Sequence, residues 1–201
     1  CRPLLGAEEG GGEAAGEAAL SLLGDNTLSL ATPAARSPAL FTFDQVFSPR
    51  ASQEEVFRQV QPLVQSVCDG YRVCVFSYGQ TGSGKTHTMA GDVHSADGAG
   101  RGIIPRAVQE LLRAARRLKG EGWAVQLTAS FLEIYNEDLR DLCSPPAAHA
   151  PNKIKIYRNA QNNKVFLQGA GQFDVPVGDE KQEDREDEGY AVFQKLFDQA
   201  V

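Results

Sequence analysis

The amino-acid sequence predicts an α/β fold, with a mixed, largely parallel central sheet flanked by helices and a β-rich insert. Three observations carry this. First, Val73-Cys74-Val75-Phe76, inside Arg72–Tyr78, is a nearly continuous apolar run bounded by Gly70 and Gly79, which suits a central parallel strand buried on both faces. Second, apolar residues at helical spacing stand on both sides of it, in Val56–Val67 and Ile104–Leu118. Third, short strand-like stretches follow in Lys153–Tyr157, Val165–Gln168 and Gln172–Val177. Strands alternating with helices imply helices packed on a sheet.

Taken in order, Gly6–Ala19 contains only Gly, Ala and Glu; such a stretch cannot bury a core and is expected to be a flexible loop. Leu20–Leu23 and Thr27–Leu30 flank Gly24-Asp25-Asn26 and predict a short hairpin. Pro33–Pro38 punctuates, and Phe41–Phe47 alternates apolar with polar like a half-buried strand. Ser52 with Glu55 three residues on forms a capping-box pattern. The helix it opens carries Val56, Val60, Leu63, Val64 and Val67 on one face, contains Pro62, where a kink is expected, and stops at Gly70. A helix starts after Thr86, is interrupted over Gly91–Gly102, and resumes with Pro105 in its first turn. Arg113, Arg116, Arg117 and Lys119 form its solvated side. Ala124–Tyr135 alternates like a strand, Ser144–Pro151 is a Pro-Ala linker, and Tyr190–Ala200 is an amphipathic helix.

Composition excludes several classes. A 201-residue chain supports one domain with a real core. No apolar run approaches the ~20 residues of a membrane span, so no membrane partner is expected. The net charge of −6 gives no support to nucleic-acid binding. Most of that charge is local: Asp179–Glu188 holds seven acids against Lys181 and Arg185, a net −5. Residues 178–189 are therefore expected to form an acidic, solvated loop. Cys1, Cys68, Cys74 and Cys143 lack metal-ligand spacing and are expected to be buried, reduced thiols of a cytoplasmic protein. The chain starts at Cys1 and not Met, and is expected to be a piece of a longer one.

Gly79-Gln80-Thr81-Gly82-Ser83-Gly84-Lys85-Thr86 fits G-x-x-x-x-G-K-[ST] and makes the expected fold P-loop NTPase-type. Its glycines permit backbone conformations that turn successive N–H groups inward as an anion nest. The helix that follows adds its positive end. Lys85 is placed for the outer phosphates of ATP, and Thr86 to put its hydroxyl on Mg2+. Asn152-Lys153 is half of a guanine-reading motif without its Asp, which chance explains. Glu133, Glu137 and Asp138 are expected as surface or capping groups. No residue is assigned a catalytic role.

A longer string carries more. Asp69-Gly70-Tyr71, then Val73 through Thr86 and on to His87-Thr88-Met89, resembles the kinesin motor domain. So do Phe43-Asp44-Gln45-Val46-Phe47, Gly102-Ile103-Ile104-Pro105-Arg106, Ser130–Glu137 and Leu139-Arg140-Asp141-Leu142. The resemblance implies that Arg2 and Pro3 lie against adenine, and that Tyr71 and His87 lie near the base and ribose. It implies that Gly91–Gly102 borders the nucleotide and that Lys153–Val177 belongs to a lobe that touches tubulin. It therefore implies residues 1–201 as part of an ATP-driven microtubule motor of the cytoskeleton. Any dimerisation would run through regions outside this chain. The Gly82-Ser83 pair and Asp69–Cys74 lean toward the minus-end-directed, C-terminal-motor class. The family's switch segments are expected beyond Val201, so this chain alone is expected to bind nucleotide with poor turnover. Two rival readings are another P-loop NTPase and a nucleotide-binding remnant without catalysis.

Overall fold

The structure, a computed structural model, describes residues 20–31, 37–95, 97–143, 154–161, 165–178 and 188–200. The expectations for Arg2, Pro3, Gly6–Ala19, Ser144–Pro151 and residues 179–187 lie outside the described residues, as do most of Pro33–Pro38 and Cys1. The chain divides into two compact units, Cys1–Ile104 and Pro105–Val201.

In the first unit, β1 (Leu20–Leu23), β2 (Thr27–Leu30) and β3 (Ala39–Thr42) form an antiparallel sheet in that order. The β1–β2 hairpin turns at Gly24, whose φ is 75°. The half-buried strand expected over Phe41–Phe47 is corrected: pairing stops at Thr42, β3 is exposed, and Phe43–Phe47 leaves the ladder. There the backbone turns back on the hairpin, with Phe43 N–H on Asn26 O at 2.8 Å and Val46 N–H on Asp25 O at 2.7 Å.

Helix α1 (Gln53–Cys68) begins at a complete capping box. Glu55 N–H donates to Ser52 Oγ at 3.2 Å, and Ser52 N–H to a Glu55 carboxylate oxygen at 2.7 Å. The helix runs through Pro62 and buries Phe57 and Val64. It ends at Asp69, with Gly70 at φ 92°.

The buried central strand expected over Arg72–Tyr78 is also corrected. Residues 71–80 take no regular secondary structure, and Phe76 and Tyr78 are 79% and 94% exposed. A central strand needs paired neighbours at its edges as well as helices over its faces, and no described strand pairs with this segment. For the same reason every ladder among the described residues is antiparallel; the parallel pairing expected of the sheet is not among them. Cys74, expected to be buried, shares this exposure, while Cys68 and Cys143 are half-buried thiols in no disulfide among the described residues.

Two further helices follow, α2 (Lys85–Met89) and α3 (Ile103–Gly120). The second unit contains nearly all of α3, whose buried stripe includes Leu112 and Ala115, with Pro105 fully buried in its first turn. Arg113 pairs with Glu110 at 2.9 Å on the exposed side.

The single strand expected over Ala124–Tyr135 is two strands, β4 (Leu127–Ala129) and β5 (Leu132–Tyr135). β5 pairs with β6 (Asp138–Asp141), and β7 (Lys155–Arg158) with β8 (Val165–Gln168). β4 pairs with β9 (Phe173–Val175). Helix α4 (Glu188–Ala200) packs against β9, and it begins two residues before Tyr190, taking Glu188 and Gly189 from the loop expected over 178–189. Tyr190, Phe193 and Phe197 bury their rings there, and Phe131 lies 6.1 Å from both Phe193 and Phe197. No helix among the described residues is long and apolar enough to cross a membrane.

Candidate nucleotide site

The segment Gly79–Thr86 forms a loop that runs into α2. Ser83 N–H donates to Gln80 O at 3.1 Å, closing a turn with Gly82 at its third position. Gly82 and Gly84 have φ of 81° and 91°, a region that side chains with a Cβ avoid. Gly84 caps α2 with no side-chain hydrogen bond. Among the described residues, no carbonyl accepts from the N–H groups of Gly84, Lys85 or Thr86. These groups stay available to an anion.

A Cβ on Gly79 would land on Ser83 Oγ, so a side chain there requires the Ser83 hydroxyl to turn away. Lys85 is half-buried, and its Nζ donates to Gly79 O and Gln80 O, each at 2.8 Å. An ammonium group has three donors, so one remains for a ligand. Thr81, Gly82 and Thr86 are exposed, leaving the Thr86 hydroxyl accessible at the first turn of α2.

The interruption after α2 is a stitched loop. Gly91 pairs with Arg101 in an isolated bridge, Asp92 N–H reaches Gly100 O at 2.8 Å, and Gly102 N–H reaches Ala90 O at 2.9 Å. The carboxylate of Asp97 accepts from Ser95 Oγ and Ala99 N–H; these bonds, the one from Ser95 foremost, hold it below the ordinary carboxylate range.

Of the remaining residues predicted for the site, His87 directly follows Thr86 and is exposed. Tyr71 follows the end of α1, with its N–H on Ser66 O at 2.9 Å, and the residue is 70% exposed. Its hydroxyl bonds to none of the described residues. Sequence reasoning missed Gln53, whose Nε2 reaches the His87 carbonyl oxygen at 2.6 Å. Its only local signal is its place after the capping Ser52; a partner 34 positions away leaves no pattern.

A glycine-bearing loop whose N–H groups open onto a helix start, with Lys85 and Thr86 at that start, defines the class: a P-loop NTPase-type α/β fold. The family model of the kinesin motor domain matches residues 1–183, and the chain belongs to that family. It is 48% identical over 130 residues to kinesin-like protein KIN-14M of Arabidopsis thaliana, covering 61% of this chain and 17% of that protein. It is 56% identical over 102 residues to carboxy-terminal kinesin 2 of Xenopus laevis, 51% of this chain and 16% of that one. Over 143 residues it is 43% identical to kinesin-like protein KIFC1 of Mus musculus, 71% of this chain and 21% of that one.

These relatives support the lean toward the C-terminal-motor class. Among solved structures, the motor domain of the Kar3-like kinesin from Ashbya gossypii matches at TM-score 0.74 and 26% identity, over 99% of this chain and 56% of that one. The structure of a fast kinesin matches at TM-score 0.73 and 28% identity, over 98% of this chain and 51% of that one. The chain thus spans about a sixth of the length of the curated relatives and about half of the solved motor chains.

Proposed function

We propose that this chain binds ATP with Mg2+ through Gly79–Thr86, as the nucleotide-gripping part of a microtubule motor whose ATP hydrolysis drives movement. The observation that carries this is the loop's unfilled donor set. The N–H groups of Gly84, Lys85 and Thr86 donate to no carbonyl among the described residues, and Lys85 keeps one uncommitted donor beside them. Phosphate oxygens are charged acceptors, and such bonds are roughly twice as strong as neutral ones. Lys85 can keep its two carbonyl bonds, which fix its ammonium at the loop rim, and direct the third donor to a phosphate.

The residues fit Mg2+ in the usual manner, with the Thr86 hydroxyl as its protein ligand; the ion would neutralise charge between the outer phosphates. On the nucleoside side we assign Tyr71 and His87, with Arg2 and Pro3 against adenine. Hydrolysis also needs a positioned water and donors aimed at the transition-state charge. We assign those to the whole motor domain, and expect this chain alone to bind with slow turnover. Minus-end-directed movement, a cytoplasmic and cytoskeletal location, and dimerisation through other regions complete the proposal for the whole protein.

The test is titration of a fluorescent ATP analogue with and without EDTA. Lys85→Ala is expected to weaken ATP far more than adenosine, and Thr86→Ala to make binding less dependent on magnesium. Unchanged affinity in both variants places the site elsewhere.

A further inference from the structure

Gln53 is the first residue of α1, yet its side chain leaves that helix for α2. Its Nε2 donates to the His87 carbonyl oxygen at 2.6 Å and lies 3.2 Å from His87 Nε2. The carbonyl fixes which end of the amide faces His87, because an amide oxygen there would oppose another oxygen. The amide nitrogen has two hydrogens and accepts none. His87 Nε2 is therefore the acceptor, and the neutral ring carries its proton on Nδ1.

The His87 carbonyl itself lacks its usual helical partner. Gly91 N–H, which would normally reach it, bonds to Thr86 O at 3.1 Å. A five-residue helix without a side-chain cap is too short to hold itself. One amide thus satisfies an orphaned carbonyl and sets a ring on the residue that directly follows Thr86.

We propose that Gln53 is a positioning residue of the nucleotide site. It ties α2 to the capped start of α1 and presents His87 with Nδ1–H as a donor toward the nucleoside. This rests on the reading of Gly79–Thr86 as the nucleotide site and on the assignment of His87 to its nucleoside side.

The test uses the 201-residue chain with Gln53→Met, which keeps length and helix preference while removing both donors, and Gln53→Ala. Circular dichroism verifies that each variant stays folded. Nitrogen-15 spectra of the imidazoles at mildly alkaline pH read the tautomer, with His87→Asn assigning the signal. The expected result is an Nδ1–H form of His87 in the parent and its loss in both Gln53 variants. An unchanged tautomer in both variants overturns the proposal.

Affinity supplies the second arm. Both variants are expected to bind ATP about threefold to tenfold more weakly, the loss of about one net hydrogen bond, and inorganic tripolyphosphate within about twofold of the parent. Equal losses for the two ligands overturn the role through His87. Lys85→Ala runs alongside: if it leaves ATP binding intact, the nucleotide-site reading falls by itself, while the tautomer result still decides what Gln53 does to His87.

Discussion

Lys85 is held by the backbone of the loop it serves. Its contacts to Gly79 O and Gln80 O make the loop's shape and the lysine's position one object, so a change in either moves both. Gly79 tests this most sharply. A Cβ added there would meet Ser83 Oγ and lie 3.2 Å from Ser83 Cβ. Gly79→Ala is therefore expected to turn the Ser83 side chain aside, bring a methyl against the stem of Lys85, and weaken ATP binding by up to about tenfold, the lower end of an overpacked contact. Gly79→Ala combined with Ser83→Gly removes the obstructing side chain and is expected to recover most of the affinity. A titration showing no recovery would mean that the loss comes from the backbone at position 79 and not from the collision. The glycines of this loop were legible in the sequence because each answers to a local constraint on φ or space. The bridge from Gln53 to His87 was not, because no local constraint requires it.

The capping box of α1 was legible for the same reason: all its partners lie within four residues. Ser52 and Glu55 exchange bonds as the spacing predicts, and Ser52→Ala is expected to lower stability by roughly 1 kcal/mol, measured by urea denaturation. The bond from Ser52 N–H, then that from Ser52 Oγ, holds the Glu55 carboxyl below its ordinary range. A depressed carboxylate stabilises the fold above its unfolded-state pKa and loses that contribution as pH falls through the folded value. Stability is therefore expected to drop as pH falls through and below the ordinary carboxylate range. Glu55→Gln should flatten the drop. An identical acid limb in the two proteins would remove Glu55 as its source. Elements whose shape depends on distant partners were less legible. Val73–Phe76 has the composition of a buried strand, but composition does not supply neighbouring strands, and Phe76 lies exposed. Ala124–Tyr135 alternates as one strand, yet its halves pair with β9 and β6. Asn136 and Glu137, with φ of 49° and 70°, turn β5 into β6 without the glycine that would have announced the turn.

For the whole molecule, the sequence yielded the family more readily than the sheet, because motif strings such as Gly79–Met89 are short and ordered whereas sheet pairing is not. The family supplies the last prediction, which concerns the track. Of the tubulin-touching lobe that the resemblance implies, the described residues include the β7–β8 hairpin. Lys155 and Arg158 are exposed at the two ends of β7, and Tyr157 stacks on Phe166 across the ladder with ring centroids 5.7 Å apart. A two-stranded hairpin is marginal on its own, so the stack, contributing about 0.2–1 kcal/mol, helps to hold the two charges in place. If this lobe meets tubulin's acidic surface, the chain is expected to sediment weakly with microtubules. Binding should fall steeply with salt, since the screening length shrinks from about 10 Å at 0.1 M to about 3 Å at 1 M. Lys155→Glu with Arg158→Glu is then expected to abolish binding at low salt. Tyr157→Ala should weaken binding at every salt concentration without changing the salt dependence, because it loosens the hairpin and leaves its charges intact. Sedimentation that resists salt, or that survives the double charge reversal, would place the microtubule contact on another surface of the chain.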